Sequence, residues 1–285
     1  MPRQGVVVIT GASTGIGEAC ALHLDGLGFR VFAGVRKPAD GEALKARCSD
    51  RLTPVKLDVT DEQMRAAAFE TVAEATGSAG LAGLVNNAGI AVAGMLEFLP
   101  VAELRSQLEV NVIGAVAVTQ TFLPLLRRAR GRVVNIGSDS GLLSTPFLGA
   151  YCASKFALEA ITDALRLEVR PWGIKVSIIE PGSIQTPIWK KSGAAANLLV
   201  ASMPRQAHEL YGAALEAVRK VSLKTAASGI PPIVVARAVA HALTANRPKT
   251  RYRVGKDATF QALLARYVPD RLRDALITRF MGLPS

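Results

Sequence analysis

The chain is short of cysteine, histidine, acids and long apolar runs, and each shortage excludes something. Its three cysteines, Cys20, Cys48 and Cys152, fall in no C-x-x-C or other paired spacing. That excludes a disulfide framework and a zinc site and sets the expectation of a reducing interior. His23, His208 and His241 lack an E-x-x-H or H-x-x-x-H partner, so none is assigned to a metal or to catalysis, and no metal is expected. The opening MPRQGVVVITGAS reaches a glycine turn after a few apolar residues, too few for a signal peptide or a membrane span. No other uncharged apolar run is long enough to span a bilayer, and the expected location is the cytoplasm.

The 23 acids against 34 Lys/Arg leave a net charge of +11, a surplus that invites a nucleic-acid reading. Its placement argues otherwise. Nine Lys/Arg and three Asp/Glu lie between Arg247 and Ser285, so over half the excess sits near the end of the chain. No recognition motif and no interleaving of basic with aromatic residues accompanies it. A solvated, arginine-rich tail is expected from Arg247 on, with residues 255–285 as a basic amphipathic extension and no nucleic acid as partner. Its amphipathic pattern could touch an anionic membrane, pack on another subunit or close over the sheet; the last two are preferred.

What is present points to one α/β domain over residues 1–285. Nearly half of the residues are hydrophobic, enough for a large core and too many for disorder. GVVVIT (5–10) is a β-branched run suited to a buried parallel strand. GASTGIG follows, then apolar residues at helical spacing, with Ala19, Leu22 and Leu24. Gly11, Gly15 and Gly17 allow positive φ and close backbone approach, and a helix N-terminus behind them attracts a pyrophosphate. The spacing is G-x-x-x-G-x-G, and a glycine turn without a ligand is the alternative; the strand–loop–helix context favours the nucleotide. RVFAGV (30–35) reads as the second strand. Where an NAD site has an acid to hold the ribose 2′-hydroxyl, this chain has Val35, then Arg36 and Lys37. Arginine suits a 2′-phosphate, and Ser13 and Thr14 add hydroxyl donors, so NADP(H) is favoured; a solvated basic turn is the alternative.

Further strands are expected to end in KLDV (56–59), at LAGLVNNAG (81–89), in GRVVNIG (131–137) and in GIKVSIIEPG (173–182), with TRYRV (250–254) as a possible last one. Asn86 and Asn87 can bond the backbone of neighbouring strand ends. Pro100 opens a helical region through Leu126 in which Asn111 sits among apolar residues, either as a satisfied core amide or in a proton relay. Strands alternating with helices give a doubly wound sheet with helices on both faces. Residues 188–230 form either a lid over an apolar substrate or a covering helix. The helical reading of 231–245 completes the pattern.

The stretch 135–155, NIGSDSGLLSTPFLGAYCASK, carries chemistry. Ser138 stands at the carboxyl end of a strand, where open parallel sheets bind ligands. Tyr151 and Lys155 are one helical turn apart. An ammonium beside the phenol is expected to lower its pKa and ready it for proton exchange with an alcohol or carbonyl.

TGASTGIG, NNAG, Ser138…Tyr151-x-x-x-Lys155 and PGSIQTP, in this order, resemble the short-chain dehydrogenase/reductase family. The resemblance is strong over residues 5–187 and loose beyond. GRVVNIGS, HALTA and TRYRV look similar to its retinol and hydroxysteroid dehydrogenase branch. The resemblance implies a Rossmann-like sheet of about seven strands, a nicotinamide cofactor and a homodimer or homotetramer, often formed through the helices bearing Asn111 and Tyr151. It implies Tyr151 as proton donor or acceptor, Lys155 as the group that tunes it and binds ribose, Ser138 on the substrate oxygen, and Asn111 holding a relay water. It further implies cofactor contacts from the Gly11–Gly17 loop with Ile16, from Asp58 and Val59 at the adenine, from Asn87, Ala88 and Gly89, and from Pro181, Gly182, Ile184 and Thr186 at the nicotinamide. The expected reaction is NADP(H)-dependent interconversion of an alcohol with a ketone or aldehyde on an apolar substrate. An NAD-preferring relative and a non-catalytic nucleotide sensor are the alternatives. N-I-G-S replaces the frequent N-I-S-S; Ser138 keeps the catalytic register and Ser140 ranks below it.

Overall fold

The computed structural model describes residues 5–283; Met1–Gln4 and residues 284–285, with the parts of the leader and tail readings that fall on them, lie outside the described residues. Seven strands form one parallel sheet in the order β3-β2-β1-β4-β5-β6-β7. They are β1 (Val6–Ile9), β2 (Arg30–Val35), β3 (Leu52–Lys56), β4 (Gly83–Asn86), β5 (Arg132–Ile136), β6 (Lys175–Pro181) and β7 (Arg251–Val254). Between them run α1 (Gly15–Gly26), α2 (Pro38–Lys45), α3 (Glu62–Thr76), α4 (Val101–Leu108), α5 (Gly114–Ala129), α6 (Gly149–Glu168), α7 (Ile188–Ala201), α8 (Arg205–Ala227) and α9 (Pro232–Thr244). Helices α10 (Lys256–Tyr267) and α11 (Asp270–Met281) follow β7.

The sequence alternation of β1 explains why both faces are covered. Side chains alternate across a strand, so Val7 and Ile9 join one core cluster while Val8 joins another. The first cluster packs Cys20, Ala21 and Leu24 of α1 and Val235 and Val239 of α9 against β1, β2 and β5. The second packs Val72 of α3 and Val118, Phe122 and Leu125 of α5 against Val8, Phe32, Leu84 and Val133. Of the residues read as the apolar face of α1, Leu24 is fully buried and Ala19 and Leu22 are partly buried against the same cluster, whose deepest members from this helix also include Cys20 and Ala21.

Three details depart from expectation. Strand β3 stops at Lys56. The Asp58 carboxylate accepts from the Thr60 amide (3.0 Å) and hydroxyl (2.8 Å), a turn that lifts the chain off the sheet before Asp61 caps α3 through the Met64 amide. The helical run after Pro100 continues to Ala129 but contains a π-helical turn at Glu109–Ile113, the kind of irregularity that clusters at functional sites. That run, Val101–Ala129, is long and apolar enough to cross a membrane, yet its Val118, Phe122, Leu125 and Leu126 side is buried in the second core cluster.

The basic extension is also less solvated than expected. Glu180, wholly buried on β6, lies 3.2 Å from Arg251 and 3.4 Å from Arg253. Arg251 also meets Glu159 (3.2 Å) and Asp163 (2.6 Å) on α6. Two of the counted arginines therefore bind β7 to the sheet and to α6.

Candidate active site

The strand order reverses its direction of growth between β1 and β4, and this is where open sheets leave a crevice at their carboxyl ends. The glycine turn opens there. Gly11 and Gly15 have φ of +63° and +65°, conformations a side chain disfavours. A Cβ on Gly17 would stand 2.3 Å from the Gly11 carbonyl oxygen and 2.4 Å from Asn87 Nδ2, and one on Gly11 2.8 Å from Ala88 Cα. The turn is thus pressed against Asn87-Ala88-Gly89. Asn87 Nδ2 donates to the carbonyls of Thr10 and Gly11, both at 3.0 Å, while Thr10 Oγ1 accepts from the amides of Asn87 and Ala88. Asn87 therefore bonds strand-end backbone as expected, whereas Asn86 instead donates to the side chains of Thr119 (2.8 Å) and Asn135 (2.9 Å).

No side chain caps the first turn of α1, so its amides remain available to an anion. This cradle fits a dinucleotide pyrophosphate. Ser13 is half-buried, while Thr14, Arg36 and Lys37 are exposed, and the Ala12 amide bonds Gly34 O (2.9 Å), tying the turn to β2. On the far side Thr186 stands 3.2 Å from where a Gly15 Cβ would be, so the segment after β6 approaches the same turn. Pro181 ends β6, Gly182 bonds the Val254 carbonyl, and buried Ile184 bridges to Ile230. Val59 packs against Gly114 at the start of α5, and the Asp58 carboxylate is engaged locally with Thr60.

The residues expected to transfer protons gather at the end of β5. Ser138 Oγ donates to Asp139 Oδ1 (2.9 Å) and accepts from the Ser140 amide (3.2 Å). Burial pushes the Tyr151 phenol up to about 12, and the hydrogen-bonding Ser138 hydroxyl pulls it the other way. Lys155 does not lower the phenol as expected, for a geometric reason. Lys155 Nζ donates to the Ile136 carbonyl (2.8 Å) and lies 5.7 Å from the Tyr151 ring centroid. Its own pKa is pushed down to about 8 by burial, against the upward pull of Glu159.

Asn111 is buried in the π-helical turn, and its amide is fully engaged. It accepts from the Ile90 amide (2.9 Å) and donates to the Ile90 carbonyl (3.0 Å) and to Ser154 Oγ (3.1 Å). The satisfied-amide alternative therefore describes its side chain. Two residues missed in the sequence complete this knot. Gln107 donates to the Ile90 carbonyl and Ser154 and accepts from the Val92 amide, and Ser154 donates to the Tyr151 carbonyl (2.7 Å). Their signal was spacing, since Gln107 is one turn before Asn111 and Ser154 three residues after Tyr151. Also missed was Asp139, whose second oxygen accepts from Gln261 of α10 at 2.9 Å.

An apolar layer lies beside this group. Met203, Ala207 and Tyr211 of the α7–α8 segment pack with Met95, Phe98 and Phe147. Tyr211 meets Phe98 and Phe147 edge-on, with centroids at 6.1 and 6.2 Å.

Comparison with known proteins agrees with this geometry. The family model described as short chain dehydrogenase matches residues 5–197. The chain is 39% identical to 17-beta-hydroxysteroid dehydrogenase type 6 of Homo sapiens over 286 residues, spanning 98% of this chain and 89% of that protein. It is 41% identical to retinol dehydrogenase 5 of Homo sapiens over 285 residues, with the same 98% and 89% coverage. A solved short chain dehydrogenase from Burkholderia cenocepacia J2315, in complex with NADP, superposes with a TM-score of 0.72 at 26% identity, covering 98% of this chain and 99% of that one. Identity at this level across nearly the whole of both chains shows common ancestry, and the chain belongs to the short-chain dehydrogenase family, in the branch of the retinol and 17-beta-hydroxysteroid dehydrogenases.

Proposed function

We propose that this oxidoreductase uses NADP(H) to interconvert an alcohol with a ketone or aldehyde on an apolar substrate. The observation that carries the reading is the gathering of Ser138, Tyr151 and Lys155 at the end of β5, where Lys155 bonds the Ile136 carbonyl, at the strand ends that also bear the glycine turn. A bound nicotinamide dinucleotide supplies or accepts the hydride. The residues present fit it: the Gly11–Gly17 turn for its pyrophosphate, Arg36 for a 2′-phosphate, and Lys155 for its ribose. Tyr151 gives its proton to the substrate oxygen in reduction and takes it back in oxidation, while Ser138 holds that oxygen. A phenol pushed up to about 12 releases a proton only if a nearby cation meets the phenolate, and the Lys155 ammonium is the nearest candidate. The knot of Asn111, Gln107 and Ser154 fixes the start of α6, and with it the position of the phenol.

Support for NADP(H) comes from Val35 and Arg36, where no acid follows β2, and from the NADP complex of the Burkholderia protein. Support for an apolar substrate comes from the Met95, Phe98, Phe147, Met203 and Tyr211 layer, which we read as a lid, and from the names of the relatives. Val101, Ile113, Phe156 and Leu167 are exposed on α4, α6 and the π-helical turn, consistent with a homodimer or homotetramer formed through these helices. NADPH absorbance against a panel of aliphatic, aromatic, steroid and retinoid carbonyls tests the reaction. Tyr151→Phe should abolish turnover and leave NADPH binding intact. Turnover retained in that variant would remove Tyr151 from the chemistry, and no turnover with any carbonyl would favour the sensor alternative.

A further inference from the structure

The Ser138 hydroxyl has one proton, and in this structure it is given to Asp139. A carbonyl oxygen offers only lone pairs and needs donors, whereas an alcohol brings its own proton and needs an acceptor. A serine whose proton is held elsewhere presents lone pairs to the site. It therefore suits an alcohol and fails a carbonyl.

We propose that Asp139 is a positioning residue whose protonation turns the Ser138 hydroxyl, so that ionised Asp139 prepares the site for an alcohol and protonated Asp139 prepares it for a carbonyl. The inference rests on the oxidoreductase reading above and deepens it. Asp139 is held for the task. One oxygen takes the Ser138 proton at 2.9 Å, the other is fixed by Gln261 Nε2 at 2.9 Å, and the main-chain carbonyl accepts from the Leu142 and Leu143 amides. The carboxylate is buried, and the groups that face it leave its charge poorly matched. From α10 it meets the amide of Gln261 and the acid Asp257; from α6, the neutral Tyr151 and Cys152; on its own turn, the hydroxyls of Ser138 and Ser140. Burial raises the carboxyl most, the Ser138 hydrogen bond opposes this, and Asp257 raises it further, to about 6. The two forms therefore exchange near neutral pH. When the acid is protonated it becomes a donor, and the Ser138 proton is released to turn toward a substrate oxygen already facing Tyr151. Gln261 makes α10 part of this device, which places the segment after β7 in contact with the Ser138 end of the site.

The test is the affinity, from pH 5 to 8, of the complex with NADP for the best carbonyl of the panel and of the complex with NADPH for the matching alcohol, pairs that cannot react. Losing one donor from the substrate oxygen corresponds to about a tenfold change. Carbonyl binding to the unaltered protein should weaken about tenfold as pH rises through about 6, and alcohol binding should tighten over the same limb. Tyr151 titrates well above this window and Lys155 only at its upper end, so their limbs are separable from one centred at about 6. Asp139→Asn should remove the limb for both ligands while NADPH affinity, read by fluorescence, is unchanged. Gln261→Glu, which sets a second acid beside the first, should move the limb to higher pH and serves if Asp139→Asn fails to fold. A limb retained in Asp139→Asn, or unmoved in Gln261→Glu, overturns the proposal, as does a flat profile of the unaltered protein. Absence of any turnover overturns the oxidoreductase reading itself and is distinguishable from these.

Discussion

Replacing Lys155 by methionine should make the protein more stable and inactive. Lys155 is 7% exposed, and its ammonium has one hydrogen-bond acceptor, the Ile136 carbonyl. Burial lowers its pKa from 10.5 to about 8. The unfolded chain therefore holds this proton more tightly than the folded one, and protonation opposes folding. A shift of this size amounts to about 3 kcal/mol at 1.36 kcal/mol per unit. Methionine fills a similar volume without the charge, but orphans the Ile136 carbonyl at about 1 kcal/mol. A net gain of about 2 kcal/mol at pH 7 follows, or roughly 4–8 °C in Tm for a chain of this size. The sign gives a second signature. The penalty is full below about pH 8, shrinks as pH rises toward 10.5 and is absent above, so the advantage of Lys155→Met should decline over that window. Urea unfolding of both proteins from pH 6 to 11 measures it, and taking the difference cancels the opposing titrations of Tyr151 and Cys20. A variant no more stable at pH 7, with a constant difference across the series, would refute the claim that Lys155 is strained by burial.

Other substitutions test other parts. Gly17→Ala places a Cβ 2.3 Å from the Gly11 carbonyl; it should lower stability by about 1–3 kcal/mol and abolish NADPH binding by titration calorimetry. Gly26→Ala, with nothing within 4 Å of the new Cβ, should be neutral or stabilise by about 0.5–1 kcal/mol and spare binding. Arg251→Met leaves buried Glu180 with only the longer contact to Arg253 and should destabilise by about 3 kcal/mol in urea; Arg251→Met with Glu180→Leu should restore most of it. Arg36→Ala should weaken NADPH by about 1–3 kcal/mol while sparing NADH. Equal losses for both cofactors would remove the 2′-phosphate role.

The fold was legible because its signals were local. β-branched runs, the glycine turn and helical spacing all lie within a few residues, and they specified the parallel sheet down to the short β7. Tyr151 and Lys155 were legible for the same reason. What escaped were contacts across the chain. Gln261 reaches Asp139 over 122 residues, and Arg251 reaches Glu159 over 92; no spacing rule connects such pairs. The arginine surplus was read as solvated because charge counting has no access to burial. It could not show that Glu180 stands wholly buried opposite two of those arginines.

The tyrosine shows where helix spacing stops being sufficient. One turn of helix brings Lys155 beside Tyr151, and spacing alone turns that neighbourhood into a lowered phenol pKa. The folded protein reverses the sign because desolvation acts on both groups, raising the phenol to about 12 and lowering the amine to about 8. Each shift favours the neutral form of its own group. In the proposed reaction, proton transfer from Tyr151 would create the one arrangement in which both charges become useful, a phenolate facing an ammonium in a poorly solvated site. On the proposed reaction the pair serves the moment of transfer rather than the resting protein, and the stability given up at Lys155 would be the measurable trace of that arrangement.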